Sequence, residues 1–144
     1  MLGLKFDDND KAFLSTRNKI KPLFKIRERD FMTRIEFESI IISDICNKYP
    51  EYKEKLRQQL SFAVVKERVL SKYGFSTYFT INHSHLVTLG KDVKLSLETD
   101  GWRVNGLSRG SGYILRIENG VIHSLEGFSY EEPWQQEIVF CEKI

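Results

Sequence analysis

The stretch YILRIENGVIHSL, residues 113–125, decides the fold, because it predicts a β-hairpin with its turn at Asn119-Gly120. Asn119-Gly120 is the strongest short hairpin signal, since both residues readily adopt the positive φ angles of a type I′ turn. The flanking runs, Tyr113–Glu118 and Val121–Leu125, carry the β-branched and aromatic residues that are enriched in strands. The stretch therefore predicts two adjacent antiparallel strands.

Further strand patterns lie on both sides of this hairpin. Upstream, Phe75–Ile81 is β-rich, and in Val93–Leu97 apolar and polar residues alternate with the two-residue period of a half-buried strand. Asp100-Gly101 predicts a turn into a short strand at Trp102–Val104. Downstream, Ile138–Cys141 predicts a last strand. The second half of the chain is thus expected to form about six strands.

The first half of the chain has helical patterns. Asp10 can cap a short helix that ends before Pro22, because proline disfavours helix at the residue ahead of it. Thr33–Glu36 is a capping box that begins a second helix. Pro50 suits the first turn of a third helix, whose apolar stripe continues until Gly74 as its C-cap. About three helices are expected.

These elements predict a single domain, residues 1–144, of the α+β class. About three N-terminal helices are expected to pack on a C-terminal antiparallel sheet of about six strands. The hydrophobic content of 41% and the charged content of 29% are typical of a soluble globular protein.

Composition also bears on the compartment. Met1–Phe6 is too short to be a signal peptide, and the longest apolar run, Ile40–Ile42, is far below the length that spans a membrane. The chain has only two cysteines, Cys46 and Cys141, and small secreted domains held by disulfides carry more. A cytoplasmic protein that does not associate with membranes is expected.

No residue pattern predicts catalysis, a cofactor or a metal. His83 and His85 are two apart and would share one side of a strand, but His123 is the only other histidine, so a polar turn is the preferred interpretation. Neither Cys46 nor Cys141 has a base nearby in sequence. We therefore expect a protein that is not an enzyme and has no catalytic, cofactor-binding or metal-binding residues.

Residues 125–137 mix aromatic rings with carboxylates around a glycine and a proline. The rings have two possible roles, which are to plug the end of the sheet against the helices or to anchor a partner as interface hot spots. The carboxylates would steer a basic partner toward them. The predicted partner-binding residues are Glu126, Phe128, Tyr130, Glu131, Glu132, Trp134 and Glu137.

Residues 119–134 resemble the C-terminal region of bacterial immunity proteins from polymorphic-toxin and contact-dependent growth inhibition systems. In those proteins a hairpin leads into an aromatic, acidic segment Gly-[Phe/Tyr]-[Ser/Thr]-[Tyr/Phe]-x-x-x-Trp. Gly127–Tyr130 and Trp134 match this pattern. The resemblance implies a non-catalytic protein that binds and neutralises a cognate toxin domain, often a nuclease.

One alternative is a small α+β enzyme or ligand-binding domain with a pocket between the sheet and the helices. Its polar and aromatic lining would come from His83, His85, Trp102 and Tyr113. A deep pocket on which two of these side chains converge would favour this alternative.

A second alternative is nucleic-acid binding through the basic segment Lys11–Arg34, which has eight Lys and Arg residues and interleaved phenylalanines. The same phenylalanines can anchor the segment onto the core instead. The formal net charge of +2 does not favour a nucleic-acid partner. This alternative is therefore the less favoured one.

Overall fold

The computed structural model describes residues 3–4, 32–81, 87–105, 107–135, 138 and 141–144. The elements are β1 (Gly3–Leu4), α1 (Arg34–Lys48), α2 (Pro50–Leu60), β2 (Ala63–Ser71), β3 (Gly74–Ile81), β4 (Leu95–Val104), β5 (Ser111–Glu118), β6 (Val121–Ser129) and β7 (Cys141–Lys143). The strands form one antiparallel sheet in the order β1-β2-β3-β6-β5-β4-β7. The predicted α+β class and antiparallel sheet are confirmed.

Two helices occur within the described residues, where the sequence predicted about three. The helix predicted to follow Asp10 lies outside those residues. The capping box is confirmed, since the backbone N–H of Glu36 donates to Thr33 Oγ1 at 3.1 Å and α1 begins at Arg34. Phe37, Ile41 and Ile45 of α1 are completely buried. This helix therefore covers the sheet with one apolar face.

The prediction that the third helix extends to Gly74 is wrong. Helix α2 begins at Pro50 as expected but ends at Leu60, and the chain then enters β2. Val64, Val65 and Val69 are β-branched residues, which lose side-chain freedom in a helix and pack well on a sheet. Strand β2 pairs with β3 along its whole length, and this pairing stabilises the strand relative to the helix that the same apolar residues would also allow.

Gly74 begins β3 instead of capping a helix. A Cβ at this position would lie 2.0 Å from the carbonyl oxygen of Gly127, which is on the neighbouring strand β6. The absence of a side chain therefore permits a close approach of two backbones.

The β-hairpin predicted within residues 113–125 is confirmed. Strands β5 and β6 flank Asn119 and Gly120, which have φ angles of 53° and 74°. Gln59 of α2 fastens this turn, since its amide donates to the carbonyl of Gly120 at 2.9 Å and accepts from the N–H of Ile122 at 2.9 Å.

The turn predicted at Asp100-Gly101 is wrong, because β4 continues through it as one strand. Thr99 pairs with Tyr113 and Trp102 pairs with Ser111, so Asp100 and Gly101 form a bulge in the register. Gly101 has a φ angle of 74°, which a glycine adopts without strain. A bulge of this kind uses the same residue type as a hairpin turn.

The last strand lies further along the chain than predicted. Strand β7 begins at Cys141 and pairs with β4, while Ile138 makes a single bridge with Met32.

The sheet has two faces with different environments. One face, here called the core face, packs against α1 and α2 and includes Thr77, Tyr113, Leu115 and Leu125. The opposite face is here called the outer face. Its central row consists of side chains at paired register positions on four adjacent strands, Glu98, Ile114, Glu126 and Ser76.

Two polar clusters fasten α1 to the core face. The carboxylate of Glu38, which is fully buried, accepts from Arg68 Nη2 at 2.7 Å and from the Thr77 hydroxyl. Asp44 Oδ2 accepts from Trp102 Nε1 and from Lys143 Nζ, both at 3.0 Å. Hydrogen bonds from Thr99, Trp102 and Lys143 outweigh burial and lower the pKa of Asp44. Glu38 and Asp44 are thus each hydrogen-bonded to residues of other elements.

Candidate partner-binding face

The predicted partner-binding segment passes around the end of the sheet, from the outer face to the core face. Tyr130 follows β6 and packs edge-on against Phe128, with 5.5 Å between ring centroids. The chain turns at Glu131, which has a φ angle of 63°. The backbone N–H of Trp134 then donates to the carbonyl of Lys72 at 2.8 Å. Tyr130 and Trp134, four residues apart, therefore lie on opposite faces.

Trp134 belongs to the core. Only 7% of its surface is exposed. The centroid of its ring lies 5.1 Å from the ring centroid of Phe75, 6.2 Å from that of Phe37 and 6.3 Å from that of Tyr113. Of the two roles that the sequence left open for the rings, Trp134 therefore takes the first and plugs the end of the sheet.

The three described glutamates of the segment each have a partner within the protein. Glu126 pairs with Arg116, and Glu131 pairs with Arg109. Glu132 accepts from the backbone N–H of Arg109 at 2.7 Å, and this hydrogen bond is the main cause that lowers its pKa. Glu137 lies outside the described residues. Both ion pairs are open to solvent, with side chains 31–74% exposed, so these carboxylates stay at the surface.

Two carboxylates on β4, Glu98 and Asp100, are the acidic groups that sequence reasoning missed. They lie close enough to Tyr130 for their charges to add to the effect of burial, which is the larger cause, in raising the pKa of its hydroxyl. No ion pair involves either carboxylate within the described part of the chain. The alternation of polar and apolar residues along β4 could have predicted that Glu98 lies on the outer face. Its position near Tyr130 depends on the order of the strands in the sheet, which the sequence pattern does not give.

Two small cavities open on the outer face and share Ile114 and Phe128 as a common wall. The first, here called the acidic cavity, has a volume of about 170 Å³ and lies where the end of α1 reaches β4; its lining includes Lys48, Tyr49, Glu98, Asp100 and Tyr130. The second, here called the apolar cavity, has a volume of about 270 Å³; its lining includes Val69, Tyr73, Gly74, Ser76 and Glu126.

The outer face also exposes large apolar side chains around these cavities. Val69 is 45% exposed, Tyr73 46% and Tyr130 39%. Ser129 holds the turn that carries Tyr73, since its backbone N–H donates to the carbonyl of Tyr73 at 2.8 Å. Of the seven predicted partner-binding residues, Glu126, Phe128 and Tyr130 are therefore together on this face, whereas Trp134 is on the other.

The candidate catalytic and metal-binding residues do not form a site within the described residues. His83 and His85 lie outside them, and His123 contacts Glu118 with 3.3 Å between Nδ1 and Oε2. Burial raises the pKa of the Cys46 thiol to about 11 and that of Cys141 to about 12, which disfavours the reactive thiolate. No group of three His, Cys, Asp or Glu side chains could hold a metal ion among the residues described.

Two aromatic residues of the alternative pocket are used in the core. Tyr113 is fully buried and its hydroxyl lies 2.7 Å from Ser111 Oγ. Trp102 is 8% exposed and its indole nitrogen is bonded to Asp44. Tyr113 reaches the wall of the acidic cavity, but Trp102 does not. The two side chains therefore do not converge on either of the two cavities described above, and the pocket alternative stays a prediction.

No protein-family model, curated protein sequence or solved structure matches the chain. No helix in the described part of the chain is long and apolar enough to cross a membrane. Almost all of the basic segment Lys11–Arg34 lies outside the described residues, so the nucleic-acid alternative stays a prediction.

Proposed function

We propose that this protein is an immunity-type inhibitor, which binds a cognate toxin domain through the outer face of its sheet. One observation carries the proposal. Tyr73, Phe128 and Tyr130 present rings on a sheet face opposite to the one that the described helices cover. The toxin as partner comes from the resemblance of residues 119–134.

The sizes of the cavities support a protein partner over a small molecule. Pockets for drug-sized ligands have volumes of about 300–1,000 Å³. The two cavities have about 170 and 270 Å³, which suits single side chains. Tyrosine and phenylalanine rings at the rims offer large, rigid contact area, which is the property of interface hot spots.

The charges on the face support a basic partner. Glu98 and Asp100 have no ion-pair partner among the described residues and would steer a cationic surface toward Tyr130. A nuclease domain must bind anionic phosphates and therefore presents such a surface. The favoured partner is thus a toxin domain with a cationic face.

The test is a growth-rescue experiment with the toxin domain encoded next to this gene. The wild-type chain should protect cells that express the domain, and the purified pair should form a complex. The double variant Tyr73→Ala/Tyr130→Ala should lose protection and raise the Kd by about tenfold or more, because it removes two exposed rings that line the two cavities.

Val69 and Leu70 supply a matched control. Both are 45% exposed and adjacent in β2, but Val69 lies on the outer face and Leu70 on the core-face side. Val69→Asp should weaken the complex, whereas Leu70→Asp should not. Full protection by the tyrosine double variant, or equal effects of the two aspartates, would refute the proposed face. A harmless neighbouring gene product would refute the toxin as partner.

A further inference from the structure

The wall between the two cavities divides the outer face into two chemically different halves. Ile114 and Phe128 form this wall, and they lie on adjacent strands, β5 and β6. The acidic cavity lies toward β4 and the apolar cavity toward β3. Because neighbouring strands are about 4.8 Å apart, the two cavities are separated by roughly 10 Å, or two strand spacings. One short segment of a partner can reach both.

The acidic cavity has the chemistry for a cationic side chain. Glu98 and Asp100 place two carboxylates in its lining against the single cation of Lys48. Tyr49, Phe128 and Tyr130 supply aromatic rings, whose faces attract cations. Arginine suits this combination better than lysine, because its planar guanidinium both stacks on rings and bonds carboxylates in a bidentate manner.

The apolar cavity lacks that chemistry. Its single carboxylate, Glu126, is already paired with Arg116. The ammonium group of Lys72 also lies near this cavity, since Lys72 Nζ is 5.2 Å from the centroid of the Tyr73 ring, which lines it. Val69, Tyr73 and Phe128 therefore offer apolar surface in a setting that repels a second cation.

We infer that the partner binds with an arginine in the acidic cavity and an apolar side chain in the apolar cavity, on either side of Phe128. This inference rests on the proposed function and deepens it, because it names the side chains that the toxin domain must offer. A second copy of this chain on the same face is the competing occupant, and the oligomeric state distinguishes it.

The direct probe is the peptide acetyl-Leu-Gly-Gly-Arg-amide. The Cα atoms of its Leu and Arg lie roughly 10 Å apart when the chain is extended, and the flexible Gly-Gly linker lets both side chains turn to the same side. In an NMR titration of the full chain, it should bind with a Kd on the order of 1 mM and shift the amides of residues 98–100, 128 and 130. Replacing its arginine with citrulline, which keeps the shape and removes the charge, should raise the Kd at least about fivefold.

Variants of the protein supply the matched control. Glu98→Gln/Asp100→Asn should raise the Kd of the arginine peptide to that of the citrulline peptide. Glu51→Gln/Glu142→Gln removes the same charge from exposed residues of α2 and β7 and should leave binding unchanged. Equal binding of both peptides, no shift up to about 20 mM peptide, or a dimer that buries this face in sedimentation would overturn the inference.

The growth-rescue test separates this inference from the proposed function. If Glu98→Gln/Asp100→Asn protects cells fully while Tyr73→Ala/Tyr130→Ala does not, the arginine inference fails and the inhibitor proposal stands. If both double variants protect fully, the arginine inference and the proposed binding face both fail, whereas the toxin stands as the partner. Loss of protection in both, with a folded domain by circular dichroism, supports both.

Discussion

Tyr130 and Trp134 are aromatic residues of one short segment, yet they lie in opposite environments. Trp134 is in contact with three rings of the core, whereas Tyr130 is on the outer face beside two carboxylates. Glu131, between them, provides the change of direction with its positive φ. Residue type alone therefore does not assign a ring to the core or to a binding face, and the path of the chain around the sheet does.

The carboxylates of the two faces differ in the partners that they have. On the core face, Glu38 and Asp44 each have several hydrogen-bond donors from other elements. On the outer face, Glu98 and Asp100 have no ion-pair partner among the described residues. The core face uses charge to hold its elements together, and the outer face leaves charge available for a partner.

The largest expected difference is between the two rings. Trp134→Ala should lower the free energy of unfolding by about 3–5 kcal/mol, because it empties a site lined by three rings. Tyr130→Ala should lower it by about 1 kcal/mol, the contribution of its contact with Phe128. Urea denaturation followed by circular dichroism measures both. Trp134→Phe is the control and should lose less than the alanine variant, and equal losses for Trp134→Ala and Tyr130→Ala would contradict the comparison.

A second difference is expected between two glutamates. Glu38→Gln should cost about 2–4 kcal/mol, because an amide leaves Arg68 or Thr77 without one accepting oxygen in a buried place. Glu126→Gln should cost at most about 1 kcal/mol, since its pair with Arg116 is 31–43% exposed to solvent. The same denaturation experiment measures both. A Glu126 variant as unstable as the Glu38 variant would show that the outer face also depends on its charges for folding.

The smallest difference is expected between two glycines. A Cβ at Gly127 would lie 2.3 Å from Phe75 Cε1 in the packed core, so Gly127→Ala should cost about 1–3 kcal/mol. A Cβ at Gly112 would lie 2.6 Å from Phe128 Cζ and 2.7 Å from the Tyr130 hydroxyl. These are the far ends of side chains that can move toward solvent, so Gly112→Ala should cost less than about 1 kcal/mol. Gly112→Ala should still weaken partner binding, and the opposite order of stabilities would contradict the assignment of the faces.

Local signals predicted much of the fold. The Thr33 cap, Pro50 at the start of α2 and the Asn119-Gly120 turn depend on a few neighbouring residues, and all three are present. The end of α2 and the Asp100-Gly101 bulge were missed. In both places the local pattern fits two structures, and pairing with the next strand along the chain, β3 for β2 and β5 for β4, decides between them.

The candidate site was predicted in part for the same reason. Phe128 and Tyr130 were identified from composition, and the structure places them together on the outer face. The burial of Trp134 depends on where the chain crosses the end of the sheet, which no local pattern encodes. Glu98 and Asp100 come near Tyr130 only because β4, β5 and β6 are neighbours in the sheet.

Successive side chains of β5 and β6 point to opposite faces of the sheet, so substitutions on one face leave the other face unchanged. Ile114, Glu126 and Phe128 can be exchanged at every second position without touching Tyr113 or Leu125, which fill the core from the same strands. Substitutions at these outer-face positions can therefore change the chemistry of the proposed binding face and keep the fold. Gly112 is the exception, because its lack of a side chain lets the end of the Phe128 ring and the Tyr130 hydroxyl lie close against the sheet.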